Sequence, residues 1–326
     1  MKPIKAAARA LLGTALAIAA STLWAQSWPT KPVTMINPFA PGGGVDAFGR
    51  PLAAYLSKTL NHQFIVENMA GAGGTVGAAN AARRPADGYN FFIGAVHHTI
   101  AESLYTKLPY SLEKDFTPIT VLAYVPNVVV MHPKHANLNS IRELIAYAKA
   151  NPGKLNYGSA GNGTTHHLAG ELFKTMTGVD ITHIPYKGAG PMMTDLIAGQ
   201  VDMAFDGMST SAPMIKSGRL KPLAVTTTQR SFVAPQVPTM QEAGLPNYVV
   251  TTWYALWAPQ GTPKEVLDRM YSETVKALQS PELKVVWEGQ GATAGGEAPA
   301  EFAKLIHSEI AKWAKVVKDS GAKVDN

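Results

Sequence analysis

Four glycine-rich turns constrain the fold of this 326-residue chain more than any other feature of its sequence. Each turn follows a short β-branched run and precedes a helical pattern, and two lie in each half of the chain, at residues 42–44, 71–74, 158–163 and 188–190. Strands and helices that alternate with such turns are typical of βα units. The sequence therefore predicts an α/β fold of mostly parallel sheets flanked by helices.

The pairing of the turns predicts two lobes with a ligand cleft between them. Two apolar strands, at 125–131 and 249–258, are the candidate crossings from one lobe to the other. They divide the chain into a first lobe of residues 26–125 plus 248–326 and a second lobe of residues 126–247. Because ligands of open α/β sheets bind beyond the carboxyl ends of the strands, two facing sets of turns would form a clamp.

The first 25 residues are predicted to be a secretory signal peptide. Lys2, Lys5 and Arg9 precede an apolar run, and Ala25 ends a stretch of small residues suited to cleavage. The apolar run, of about 11 residues, is shorter than the roughly 20 that span a bilayer. Cleavage would lower the formal charge from +6 to +3, because Lys+Arg falls from 29 to 26 and Asp+Glu stays at 23. The sequence thus predicts an exported protein.

Composition excludes several classes of function. The chain has no cysteine, which excludes disulfides, thiolate metal ligands and a cysteine nucleophile. It has no basic run with interleaved aromatic residues, so no nucleic-acid partner is expected.

The glycine turns are suited to binding an anion. A helix N-terminus presents unpaired N–H groups and a partial positive charge, and glycine lets a carboxylate approach them closely. In the second half, Ser159 and Thr164 are the polar side chains best placed to fix a carboxylate, while Thr165 is an alternative helix cap. Asp46 and Asp206 suit either a contact with an amine or a water on the ligand, or a local role as a cap or loop residue.

Several motifs resemble one family over essentially the whole mature chain. They read PFAPGG at 38–43 with Asp46, VEN at 66–68 before GAGG at 71–74, LNYGS at 155–159, PYKG at 185–188, and GQVD at 199–202 with FD at 205–206. VPT at 237–239, EAG at 242–244 and Trp253-Tyr254 continue the series. These motifs are similar to those of Bug-type receptors of tripartite tricarboxylate transporters.

This resemblance implies a two-lobed periplasmic-binding-protein (Venus-flytrap) fold in the periplasm. Its lobes would close on a small organic carboxylate, partly through ordered water, and deliver it to inner-membrane permease subunits. We expect a monomer with no cofactor, no bound metal and no catalytic residues. The ligand-binding residues implied by position are Phe39, Ala40, Gly42, Gly43, Asp46, Gly71, Ala72, Gly73, Gly74, Ser159, Gly161, Gly163, Thr164, Tyr186, Lys187 and Asp206.

The chain departs from the family pattern at three places. Met69 replaces a basic residue, and Pro51 lies within the first predicted helix, where it favours a kink. His97 and His98 occupy a loop that usually carries small or hydroxyl residues, so they are a candidate ligand-specificity element, with a solvated loop or helix-start pair as the alternative. Aliphatic dicarboxylates, amino acids and aromatic acids remain open as ligands, and the histidines favour an aromatic or unusual acid.

An enzyme that uses the same cleft is the alternative function. His98 with Glu102 and His167 with Glu171 have the i, i+4 spacing of metal ligands, but this spacing is also common on helix surfaces. Gly71, Gly73 and Gly77 lack the spacing of a dinucleotide fingerprint. Ser159 lacks the Gly-x-Ser-x-Gly elbow of hydrolases.

Overall fold

The computed structural model describes residues 28–320 and, within them, an α/β protein. The predicted signal peptide lies outside the described residues. The strands are β1 Val33–Asn37, β2 Phe64–Asn68, β3 Asn90–Ala95, β4 Phe116–Met131, β5 Asn156–Ser159, β6 Thr182–Pro185, β7 Met203–Gly207, β8 Lys221–Val225, β9 Thr251–Pro259 and β10 Thr293–Ala294. The helices are α1 Gly44–Thr59, α2 Thr75–Ala82, α3 His97–Leu104, α4 Ile141–Ala150, α5 Thr165–Thr177, α6 Ala189–Ile197, α7 Met208–Lys216, α8 Lys264–Gln279, α9 Pro281–Gly289 and α10 Pro299–Ser320.

The strands follow the order β2-β1-β3-β9-β4-β7-β5-β6, with β8 and β10 also paired to β4. At one end β1 pairs in parallel with β2 and β3, and at the other β5 pairs in parallel with β6 and β7. The central strands β4 and β9 are antiparallel to their neighbours. The predicted α/β class is confirmed, and the sheet is mixed because β4 and β9 carry the chain between the two parallel sets.

The long strand β4 belongs to both parts of the sheet. Residues 116–126 pair with β9, whereas residues 127–131 pair with β7 on one side and β8 on the other. Both predicted crossing strands are therefore present, although β4 starts nine residues earlier than its predicted apolar core at Val125. We call the part that contains β1–β3 the first half and the part that contains β5–β7 the second half.

Aromatic residues fill the core on both sides of these crossing strands. Trp257 and Phe302 lie with their ring centroids 5.0 Å apart, which anchors α10 against β9. In the second half, Tyr157, Phe173 and Phe205 are fully buried around β5 and β7. Between residues 28 and 320 no helix combines the length and apolarity needed to cross a bilayer.

Candidate ligand-binding site

Helices from both halves begin around one cavity. Gly43 precedes α1 and Gly188 precedes α6, and neither residue has a side chain to cap its helix. Since the first N–H groups of a helix have no partner within it, both ends can donate to a bound group. The residues that line the cavity are Asn37, Phe39, Ala40, Gly43, Gly44, Val45, Asp46, His97, Ala160, Thr164, His166, Ala189 and Tyr254.

The two halves are closed on each other at this cavity. The backbone N–H of Ala40 donates to the carbonyl of Lys187 at 3.0 Å, which joins the first turn of the first half to the last turn of the second half. The space left inside is about 20 Å³, enough for about one water molecule. A carboxylic acid of several carbons would therefore need these turns to move apart before it could enter.

Asp46 organises the first glycine turn. One carboxylate oxygen accepts from Asn37 Nδ2 at 2.8 Å, and the other accepts from the backbone N–H of Gly42 at 2.8 Å. Arg50 Nε lies 3.0 Å from the second oxygen. Asp46 lines the cavity, and these contacts support a loop role within its own turn.

His97 and His98 begin α3 and are buried. Neither ring nitrogen of His97 has a hydrogen-bond partner, and its ring packs edge-on against Phe39 at 4.9 Å. Burial, with smaller contributions from His98 and His166, lowers the pKa of His97 well below its usual value. His98 contacts the backbone of Ala95 through Nδ1, and burial lowers its pKa to about 4. His97 lines the cavity, whereas His98 lies behind it.

His166 faces the same cavity from the start of α5. Its Nδ1 lies 3.5 Å from an Asp206 carboxylate oxygen that has no hydrogen-bond partner. The other oxygen of Asp206 accepts from the hydroxyls of Thr210 and Ser211 at 2.5 and 2.6 Å. Burial lowers the pKa of His166, although Asp206 acts in the opposite direction. Asp206 thus lies behind His166 rather than in the cavity wall.

Ser159 and Thr164 occupy different environments. Ser159 Oγ lies 2.6 Å from His183 Nε2 and accepts from the N–H of Gly161, and Ser159 does not line the cavity. Thr164 lines the cavity and caps α5, because its hydroxyl accepts from the N–H of His167 and donates to the carbonyl of Gly161. Thr164, rather than Thr165, is therefore the cap.

The second glycine turn, at residues 71–74, contacts the second half outside the cavity. Tyr105 donates its phenolic hydrogen to the carbonyl of Ala72 at 2.9 Å. Gly73 has a φ of +61°, and a Cβ there would lie 2.1 Å from the carbonyl oxygen of Asn162. Only glycine fits this close approach, so the turn forms part of the contact between the halves.

The structure brings some of the predicted ligand residues together and not others. Those that line the cavity are Phe39, Ala40, Gly43, Asp46, His97 and Thr164. Those that do not are Gly42, Gly71, Ala72, Gly73, Gly74, His98, Ser159, Gly161, Gly163, Tyr186, Lys187 and Asp206. A direct contact of either group with a ligand stays a prediction.

Sequence reasoning missed about half of the cavity wall. The wall residues not predicted as ligand contacts are Asn37, Gly44, Val45, Ala160, His166, Ala189 and Tyr254. Ala160 and Ala189 adjoin the glycine turns, which was the available signal for them. His166 was not among the predicted ligand residues and Tyr254 was named only as part of a motif, because no local pattern shows that either side chain reaches the turns.

The predicted metal-ligand pairs serve other contacts. Glu102 accepts from the N–H of Leu112, and Glu171 accepts from the Tyr157 hydroxyl at 2.8 Å. Over residues 28–320 no three His, Asp or Glu side chains are grouped in a way that could hold a metal ion.

Two parallel strand sets joined by the long strand β4, with helix N-termini from both sets meeting at one cavity, are typical of a solute-binding protein of the periplasmic type. The model of the tripartite tricarboxylate transporter family receptor (TctC) matches residues 48–322. The chain belongs to this family of solute-binding receptors, which confirms the resemblance seen in its motifs.

Relatives and solved structures agree with this assignment. Protein BugT of Bordetella pertussis is 37% identical over 97% of this chain and 98% of its own length. The R. palustris protein Rpa4515, solved with adipate, is 40% identical with a TM-score of 0.87 and covers 90% of this chain and 99% of its own. MatC from Rhodopseudomonas palustris, solved with bound malate, is 33% identical with a TM-score of 0.85 and covers 89% of this chain and 100% of its own.

Proposed function

We propose that this chain is a periplasmic receptor that holds a small organic carboxylate in the described cavity and delivers it to membrane permease subunits. The observation that carries the proposal is the meeting of uncapped helix N-termini from both halves at one cavity. Such ends bind carboxylates through backbone N–H groups and the helix dipole. The relatives solved with adipate and malate support the same ligand class.

The contacts across the cavity support binding by closure of two lobes. In this proposal residues 26–125 and 248–326 form one lobe, residues 126–247 form the other, and the signal peptide of residues 1–25 exports the chain. The hydrogen bond from Ala40 to Lys187 forms only when the turns meet, so it belongs to the closed state. An open state would admit the acid, and closure would exclude water from it.

A receptor role also accounts for Ser159 better than hydrolysis does. Its hydroxyl lies close to His183, as in a catalytic pair, but Ser159 is fully buried and outside the cavity wall. A nucleophile must reach the substrate, and this hydroxyl instead holds the backbone of its own turn. We therefore propose a protein that binds its ligand without catalysis and as a monomer.

A thermal-shift screen tests the proposal. The chain without residues 1–25 is heated with succinate, malate, adipate, glutamate or benzoate, with sodium chloride at equal ionic strength as the control. A ligand at 100 times its Kd adds about 2.7 kcal/mol to the free energy of unfolding, so a true ligand raises the Tm by several degrees. Stabilisation by none of these acids, or only by divalent metals or nucleotides, would reject the proposed ligand class.

A further inference from the structure

The cavity presents no full positive charge to an incoming anion. No lysine or arginine is among its lining residues. Asp46 is paired with Arg50 at the edge of the site, but Asp206 has neither lysine nor arginine as an ion-pair partner in the described part of the chain. A carboxylate bound here would be enclosed near the buried negative charge of Asp206, which is unfavourable unless a positive charge appears between them.

His166 lies where that charge is needed. It is buried, it lines the cavity, and its Nδ1 faces the unpartnered oxygen of Asp206. The approach of Nδ1 to Asp206 is not a hydrogen bond, but it favours the tautomer with hydrogen on Nδ1, which leaves the opposite nitrogen, Nε2, to meet a ligand. Without a ligand, burial and the N-terminus of α5 both favour the neutral ring. A carboxylate at Nε2 would place this imidazole between two negative charges, and each charge within contact distance favours the protonated form.

Groups on four other elements face or adjoin His166. They are Asp206 at the end of β7, His97 at the start of α3, Tyr254 on β9 and Asp46 on α1. Burial raises the pKa of Tyr254 far above neutrality, so this phenol stays uncharged. His97 has no acidic partner and lies 5.0 Å from the ring of His98, which makes it a poorer proton acceptor than His166.

We propose that the receptor binds its carboxylate together with one proton, which His166 takes up at Nε2 while Asp206 acts as the positioning residue. The inference rests on the proposed function and adds a proton to what the receptor binds. The proton comes from the solvent when the acid binds and returns to it on release. Only the N–H bond of the imidazolium forms, so no other reactant is required.

Proton uptake makes the affinity depend on pH in one direction. The complex holds one more proton than the free receptor and acid, so the affinity rises as pH falls through the neutral range. Between the pKa of His166 in the free protein and its higher value in the complex, Kd changes about tenfold for each pH unit. Below the free-state pKa this dependence ends, because His166 is then already protonated.

Titration calorimetry measures the uptake directly. The strongest binder among succinate, malate, adipate, glutamate and benzoate is titrated near neutral pH in Tris and in PIPES, whose heats of protonation differ widely. The difference in observed heat gives the number of protons taken up, expected to be about one. His166→Gln should reduce it to near zero and flatten the pH dependence of Kd. His307→Gln is the matched control, since His307 is exposed and distant from the cavity, and should keep both.

The outcomes separate this inference from the proposed function. An acid that binds with no proton uptake overturns the inference and leaves the receptor role standing. Binding by none of the acids rejects the receptor proposal, and this inference with it. Asp206→Asn should lower the uptake and the pH slope together, whereas a purely structural Asp206 would weaken binding with the slope unchanged. If His166→Gln fails to fold, NMR of the His166 ring in the wild-type protein must show protonation on addition of the acid.

Discussion

Gly190 offers a direct test of binding by closure. It lies in the first turn of α6, and a Cβ at this position would be 2.1 Å from the carbonyl oxygen of Pro41 and 3.2 Å from the carbonyl carbon of Gly42. These atoms belong to the backbone of the opposite half, so they cannot rotate away as a side-chain end would. Alanine suits the helix itself, because it is a better helix former than glycine by about 0.5–1 kcal/mol. Gly190→Ala should therefore oppose the closed state selectively.

The size of the effect follows from the overlap. The halves must separate by about 1 Å to restore ordinary van der Waals distances, which lengthens the 3.0 Å hydrogen bond between Ala40 and Lys187 beyond its range. Overpacking of this kind costs about 1–3 kcal/mol. Because the cost falls on the closed, ligand-bound form, we expect the affinity for the carboxylate to fall about 5- to 150-fold.

Calorimetric titration of Gly190→Ala and Gly289→Ala with the same acid measures this difference. Gly289 also lies in a helix, α9, but a Cβ there has no atom within 4 Å. Gly289→Ala should bind like the wild type and keep its stability. Wild-type affinity in Gly190→Ala would refute the conclusion that contacts between these turns support binding.

Three further predictions test the site and its surroundings. Thr164→Ala should lower the free energy of unfolding measured in urea by about 1 kcal/mol, because it removes the cap of α5. It should also weaken carboxylate binding more than Ser159→Ala does. An equal loss of affinity in the two variants would place a ligand contact at Ser159. Asp46→Asn should cost about 1–3 kcal/mol in the same unfolding assay, because it weakens the contacts of Asp46 with the Gly42 N–H and Arg50; an unchanged value would show that the carboxylate does not organise the turn. Burial, and to a smaller extent the neighbouring His167, lowers the pKa of His183 to about 3. The free energy of unfolding should therefore fall by at most about 1.4 kcal/mol per pH unit as the pH drops from the unfolded-state pKa of about 6.5 toward the folded-state value. In urea titrations across that range His183→Gln should lose less of this free energy than the wild type, and an equal loss would assign the effect to other groups.

The sequence by itself determined the elements and the position of the turns. Strand β2 precedes the turn at 71–74 and helix α5 follows the turn at 158–163, as the pattern around each turn predicts. These features depend on local periodicity, helix capping and the freedom of glycine, all of which act within a few residues. The family was also determined at this level, since its motifs lie mostly in the turns.

Which side chains face the cavity depends on packing between elements that are distant in the chain. Ser159 lies outside the cavity wall because the packing of β5 beside β6 places its hydroxyl against His183, while its contact with a carboxylate stays a prediction. His166 and Asp206 are distant in the chain, and their 3.5 Å approach exists only because α5 packs beside β7. Tyr254 enters the wall from β9 for the same reason. Such contacts depend on how whole elements and the two halves pack, and no local pattern records that packing.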